Sequence, residues 1–272
     1  MSGSSLSRIV LGLVVPAAGS EIGQCVDQLV KWMTDRSGIP IDRRDAASYE
    51  ALADDVRAGR IDVAWLPPIV FVRLGEVVTP LGSILRGGSA TYEAALVVQG
   101  GSKIRTIDGL RGLRAGWVDR WSAAGFVLPR VKLALSGVDP RTLFRTETFH
   151  GSHRSVIKAL MAGACDVAGT YARADANGEI NAGAWSEIEG ADVRVLATFG
   201  AIPPDVFAVR TAVADRVGDK ALAALKDACA EQRDLVQGIF GGHELREGLA
   251  PGYDSLKKAL EMASARGIFG DG

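Results

Sequence analysis

At 272 residues, 47% of them apolar, the chain has material for one large core or for two lobes of ordinary size. A formal net charge of −1 excludes the basic footprint of a nucleic-acid binder and of a protein held on an anionic membrane. The three cysteines, Cys25, Cys165 and Cys229, lie far apart without C-x-x-C spacing, so they read as buried thiols, and no metal or cofactor is expected.

The first apolar run, Ile9-Val-Leu-Gly-Leu-Val-Val15, follows Arg8 and precedes Pro16-Ala-Ala-Gly19. It is too short for a bilayer span, which takes about 18 apolar residues, and it suits a core strand over 8–15 better than an export signal. The expectation is therefore a chain without a visible leader or anchor. A helix follows over 21–36, with others at 49–58, 123–135, 153–162, 214–236 and 254–265. In the fifth of these, Leu222, Leu225 and Cys229 form a core-facing stripe. Further strands are predicted at 61–66, 94–99, 114–118, 144–148, 166–171, 193–198 and 206–209. Turns fall at Gly87-Gly88, Gly100-Gly101, Asn177-Gly178, Pro203-Pro204 and Gly241-Gly242. Such alternation predicts an α/β protein with mixed sheets flanked by helices.

Two stretches match without a gap. Ser48-Tyr-Glu-Ala-Leu-Ala-Asp-Asp-Val-Arg-Ala-Gly-Arg-Ile-Asp62-Val-Ala parallels Ser152-His-Arg-Ser-Val-Ile-Lys-Ala-Leu-Met-Ala-Gly-Ala-Cys-Asp166-Val-Ala. Each runs from a capping serine through a short helix to a glycine stop and then into a strand. The alternatives are a common αβ turn solution, or two similar lobes that hold a ligand in a cleft. Tyr49 and His153 occupy the same place in the two copies. The expected second lobe is 100–198, inserted into a first lobe of 1–99 plus 199–272. The chain would cross near Val97–Gly101 and Ala197–Ile202, and two crossings make a hinge.

The segment Leu113-Arg-Ala-Gly-Trp-Val-Asp119-Arg-Trp-Ser-Ala-Ala-Gly125-Phe-Val-Leu-Pro129 is the best candidate site. Ser122 caps a helix whose small first-turn residues leave N–H groups open to an anion. An ordinary capped helix is the other reading. Thr148-Phe-His150-Gly-Ser-His153-Arg154 offers a second helix start, where His153 could donate an N–H and His150 is less favoured. Asp62 and Asp166 are expected to bond backbone at a turn. The run Trp65-Leu-Pro-Pro-Ile-Val-Phe71 leaves a strand and turns sharply, and Tyr92 offers a phenol near the first crossing. No nucleophile elbow, His-Glu-x-x-His, Walker loop or dinucleotide fingerprint occurs, which favours a binder over an enzyme. An enzyme would need His153, Asp119 or Asp205 as its acid or base.

These landmarks, in this order, resemble the phosphate/phosphite/phosphonate-binding proteins of ABC importers, a branch of the type 2 periplasmic-binding-protein fold. The resemblance covers about 45–210 and runs from Tyr49 and Ala58-Gly-Arg-Ile-Asp-Val-Ala-Trp-Leu-Pro-Pro68 through Tyr92 and Ile107-Asp-Gly-Leu-Arg-Gly112. It continues through Trp121-Ser-Ala-Ala-Gly125, Gly151-Ser-His153 and Ala162-Gly-Ala-Cys-Asp-Val-Ala168 to Ala201-Ile-Pro-Pro204. It implies a tetrahedral oxyanion bound by Ser122 and the N–H groups of Ala123 and Ala124, with His153 on the same lobe and Tyr49 and Tyr92 closing from the other. An ABC permease partner, a monomer, no catalysis and a periplasmic setting are likewise implied. A cytoplasmic sensor and a small-metabolite enzyme on the same fold stay open. The sequence departs from the family pattern at three places. Ala124 replaces a serine and removes one hydroxyl donor. Arg154 follows the histidine where an acid is usual. Arg173 stands where relatives hold an ammonium with an acid, although Asp205 could occupy another such position, so an aminoalkyl phosphonate is not the expected ligand.

Overall fold

The computed structural model describes residues 8–15, 20–86, 91–175 and 177–269. The turns expected at Pro16–Gly19 and Gly87-Gly88 lie outside these residues. In chain order the elements are β1 (Ile9–Leu13), α1 (Glu21–Ser37), β2 (Ile41–Asp45), α2 (Tyr49–Arg57), β3 (Val63–Leu66), α3 (Pro68–Leu74), β4 (Val78–Leu85), β5 (Tyr92–Gln99) and β6 (Arg114–Trp117). A π turn (Ala123–Val127) runs into α4 (Leu128–Leu135), followed by α5 (Pro140–Leu143), β7 (Thr146–Phe149), α6 (His153–Met161), β8 (Val167–Ala174) and β9 (Ile180–Gly183). The remainder comprises β10 (Val193–Ile202), β11 (Val206–Arg210), α7 (Ala214–Glu231), α8 (Arg233–Phe240), β12 (Glu244–Glu247) and α9 (Tyr253–Ala265). Among the described residues no helix is long and apolar enough to cross a membrane.

The elements form two compact units, one from 1–90 and 204–251, the other from 91–203 and 252–272. The sheet of the first unit has the order β12-β4-β11-β3-β1-β2, with β1 parallel to β2 and β3, and β11 antiparallel to β3 and β4. Leu11, Leu13, Val26 and Leu29 pack there with Val217, Leu225, Val236 and Phe240. The sheet of the second unit has the order β10-β5-β8-β6-β7, with β9 on β8. Its helix α6 packs Val156, Ile157 and Leu160 on Ala95, Val97, Cys165 and Ala168.

The internal repeat is structural down to single hydrogen bonds, each recurring 104 positions later (48 becomes 152). Leu11 faces Val63 and Gly12 faces Ala64, just as Ala115 faces Val167 and Gly116 faces Ala168. Gly59 and Gly163 both take φ +71, a left-handed stop that a side chain would strain. Asp62 accepts from the Val10 N–H at 3.0 Å, and Asp166 from the Arg114 N–H at 2.9 Å. Both aspartates therefore bond backbone as expected. Arg210 and Arg114 add their guanidinium groups at 3.3 and 2.7 Å.

The structure corrects several expectations. The unit boundaries fall at 90/91 and 203/204 rather than 99/100 and 198/199, because β5 pairs with β8 and β10 along its length. Tyr92 thus belongs to the second unit. The chain passes between units a third time after Pro251, since α9 groups with the second unit. Strand β2 (Ile-Asp-Arg-Arg-Asp) was hidden by its charge, which an edge strand tolerates, and Arg43 there pairs with Asp27 and Asp45. Strand β4 was masked by Pro80 and Gly82, where the register against β11 shifts, a bulge that accommodates a residue without an N–H. The sharp turn after Trp65 is helix α3, which Pro68 opens at its first position. The long C-terminal helix breaks at Gln232 into α7 and α8.

Hydrogen bonds from Arg114 hold the Asp166 carboxyl below its ordinary value of 3.8. A depressed folded-state value stabilises above the unfolded value and is lost as pH falls through the folded one. Asp166→Ala is therefore expected to lose about 1–3 kcal/mol at pH 7, with the gap to the parent closing below about pH 4. Denaturant midpoints at pH 7 and 3 check this. An equal gap at both would place the loss outside the carboxylate charge.

Candidate functional site

The site is built on the last residues of β6. The Val118 N–H donates to the Gly125 carbonyl at 3.3 Å, and the Val118 carbonyl accepts from the Gly151 N–H at 2.8 Å. One residue thus anchors both the Ser122 turn and the loop that opens α6. The His150 N–H bonds Trp117 beside it at 2.9 Å. These are the carboxyl ends of parallel strands β6 and β7, the edge where open α/β sheets bind ligands.

Sequence dictates the turn. Ser122 accepts the Gly125 N–H on its Oγ at 3.0 Å, and its carbonyl takes the N–H groups of both Phe126 and Val127. Pro129 carries no N–H, so the Gly125 carbonyl that an α-helix would bond at that step is released to Val118. The expected continuous α-helix over 123–135 is accordingly a π turn feeding α4. Gly125 must be glycine, because a Cβ there would lie 2.4 Å from Val118 Cγ2. With the Gly125, Phe126 and Val127 donors engaged, the first-turn N–H groups outside the ladder are those of Ala123 and Ala124. The Ser122 oxygen already accepts, so its proton is the group left to give. Only 3% of Ser122 is exposed.

The second element is a cluster on β8. His153, the first residue of α6, places Nδ1 3.0 Å from the hydroxyl of Thr170, which is fully buried. The donor in this bond depends on the imidazole tautomer; with Thr170 donating to Nδ1, the ring proton would be on Nε2. The His153 ring meets Tyr171 edge-on at 5.0 Å, and Tyr92 meets the same ring edge-on at 6.5 Å. The Arg173 guanidinium lies 5.2 Å from the Tyr171 ring centroid. The Tyr171 hydroxyl donates to Glu187. Three residues singled out in the sequence, Tyr92, His153 and Arg173, therefore converge on Tyr171, which sequence reasoning passed over. Its signal was Tyr171 and Arg173 at alternate positions of an apolar strand, sharing one face. The π turn packs on the same strand, since a Cβ on Gly169 would come within 2.8 Å of the Gly125 carbonyl.

A partly buried ion pair supports this floor. Arg130, 3% exposed, donates to Glu147, which also accepts the Trp117 indole N–H at 2.7 Å. Its other nitrogens reach the Ile268 carbonyl at 3.2 and 3.3 Å, and its guanidinium stacks 5.0 Å over Phe126.

The other expected site residues have partners of their own within their units. Tyr49 opens α2 in the first unit, behind the Ser48 cap. Asp205, also in the first unit, is bonded by Arg86 at 2.8 Å. Burial raises the Asp205 carboxyl above its ordinary value, against the pull of Arg86. Asp119 accepts the Trp121 N–H at 2.7 Å and shapes the turn, and the His150 ring bonds Thr148 at 3.1 Å. Among the described residues, no group of three His, Cys, Asp or Glu side chains could hold a metal.

Comparison with known proteins bears on the family and the fold. Residues 14–248 match the family described as ABC transporter, phosphonate, periplasmic substrate-binding protein. The phosphate-import protein PhnD of Mycolicibacterium smegmatis is 25% identical over 170 residues, 58% of this chain. The chain spans about half (53%) of that relative's length. PhnD1 of Prochlorococcus marinus, solved in complex with methylphosphonate, superposes with a TM-score of 0.78 at 14% identity, covering 95% of this chain and 98% of that one. A binding-protein component of an ABC phosphonate transporter from Pseudomonas aeruginosa gives 0.76 at 17% identity, over 96% and 87%. The fold is that of the type 2 periplasmic binding proteins, as the sequence led us to expect. The chain belongs to the phosphonate substrate-binding protein family of ABC transporters.

Proposed function

We propose that the second unit binds a small tetrahedral phosphorus oxyanion (phosphate, phosphite or a phosphonate) and presents it to an ABC permease outside the cytoplasm. The observation that carries this reading is the pair of helix starts tied to Val118, one offering Ala123 and Ala124 N–H groups and the other His153. Helix N-termini attract anions through their open donors and the positive end of the helix dipole. A tetrahedral group carries oxygens in several directions, so the Ser122 hydroxyl, two N–H groups and an imidazole N–H can each take part. Charge-assisted hydrogen bonds of about 1.5–3 kcal/mol each give micromolar affinity once ordering is charged against them. The named ligands of the M. smegmatis and P. marinus relatives support the same class.

Binding without chemistry is the reading we favour. The His153 Nδ1 faces a threonine hydroxyl, whereas a general base is usually steadied by a carboxylate that stabilises the imidazolium. Asp119 and Asp205 are engaged in a turn and an ion pair.

Calorimetry on phosphate-free protein, titrated with phosphate, phosphite and methylphosphonate, tests the proposal. Micromolar or tighter binding of at least one is expected. His153→Ala is expected to weaken it by roughly tenfold or more, the worth of one such bond. Silence with all three would sink the reading. A subtler test is Thr170→Val, which keeps the shape but removes the hydroxyl that holds the imidazole tautomer. Its predicted effect is a several-fold loss of affinity with the His153 ring still in place. Unchanged affinity would remove Thr170 from the account.

A further inference from the structure

We propose that Arg173 reads a second acidic group on the ligand, so that the preferred solute is a small phosphonocarboxylate rather than a simple or aminoalkyl phosphonate. This rests on the oxyanion reading above. The carrying observation is that the side chain of Arg173, half-buried on β8, makes no hydrogen bond or ion pair among the described residues. Four other arginines withdrawn from water are answered by carboxylates, while Arg194 bonds the Ser102 and Ile104 carbonyls. Arg43 pairs with Asp27 and Asp45, Arg86 with Asp205, Arg130 with Glu147 and Arg210 with Asp62. Arg173 has the face of Tyr171 and, among the described residues, no acceptor for its N–H donors.

Position gives this meaning. Arg173 and His153 contact the same ring, Tyr171, which is 5.2 Å from the guanidinium carbon and 5.0 Å from the imidazole. A ligand anchored by a phosphorus oxyanion at His153 and Ser122 would carry a substituent one or two carbons long within reach of Arg173. A planar carboxylate matches the guanidinium fork, accepting two parallel N–H bonds. The acidic group of the cluster, Glu187, is exposed, and its carboxylate accepts the Tyr171 hydroxyl while Arg154 bonds its carbonyl at 3.1 Å. An ammonium substituent would thus meet the unpaired Arg173 before a free acid.

The test is calorimetry on the full chain with phosphonoacetate, methylphosphonate and 2-aminoethylphosphonate, for wild type, Arg173→Lys and Arg173→Gln, with thermal melts to confirm folding. Wild type is expected to bind phosphonoacetate roughly tenfold more tightly than methylphosphonate, the worth of one charge-assisted pair. Arg173→Gln is expected to bring that ratio near one, with Arg173→Lys between. Wild type that binds methylphosphonate or 2-aminoethylphosphonate at least as tightly as phosphonoacetate overturns the assignment of Arg173 and leaves the oxyanion reading standing. So does a ratio that Arg173→Gln leaves intact. If none of the three compounds binds, the assignment of Arg173 falls, and the phosphate and phosphite titrations decide the oxyanion reading separately. The wild-type ratio alone decides the matter should the variants fail to fold.

Discussion

The candidate site depends on a backbone residue rather than on any functional side chain. Val118 is bonded in both directions, its N–H to Gly125 and its carbonyl from Gly151. Those two bonds fix the entry of the chain into the π turn and its entry into α6. Buried backbone polar groups are expensive to leave unpaired, so this geometry is strongly determined. Pro129 and Gly125 make it possible, one by vacating a carbonyl and the other by leaving room for the Val118 side chain. The wider π turn then leaves the donors of Ala123 and Ala124 outside the helical ladder.

The repeat shows how one framework carries different surfaces. Strand registers, glycine stops and aspartate bonds recur at matching positions in both units. These are the terms that stabilise a parallel βαβ unit, and they constrain residues that do not face a ligand. The helices themselves differ along their whole length, beginning with Tyr49 in one copy and His153 in the other. Beyond the repeat, β8 carries Thr170, Tyr171 and Arg173, whereas the chain after β3 turns at Pro67 into α3. The copies thus share their bonds and differ in their chemistry.

Much of this was legible in the sequence because the relevant signals were local. Serine caps at 48, 122 and 152, the glycine stops and the apolar runs of β1, β3, β6 and β8 each follow from short-range physics. What escaped was set by distant partners. Strand β2 is charged and exists because β1 offers it a ladder, and β4 contains a proline whose bulge forms against β11. The unit boundary moved because a strand belongs to the sheet it pairs with, not to the nearest turn. Within the site, Ser122, His153, Tyr92 and Arg173 stood out as residue types; the alternation of Tyr171 with Arg173 was a local signal, but the approach of Tyr92 and His153 to that ring is set by the pairing of β5 with β8 and the packing of α6.

Arg130 reaches Glu147 beneath the site and the Ile268 carbonyl near the end of the described chain. The floor of the π turn therefore joins segments made more than a hundred residues apart during synthesis. Both units are discontinuous in sequence, and each takes residues from beyond position 203. Neither can complete its native contacts while the first two hundred residues are emerging from a ribosome. The order of assembly is thereby constrained: the floor of the candidate site closes only after Ile268 has left the ribosome, and until then Arg130 lacks the carbonyl that completes its burial.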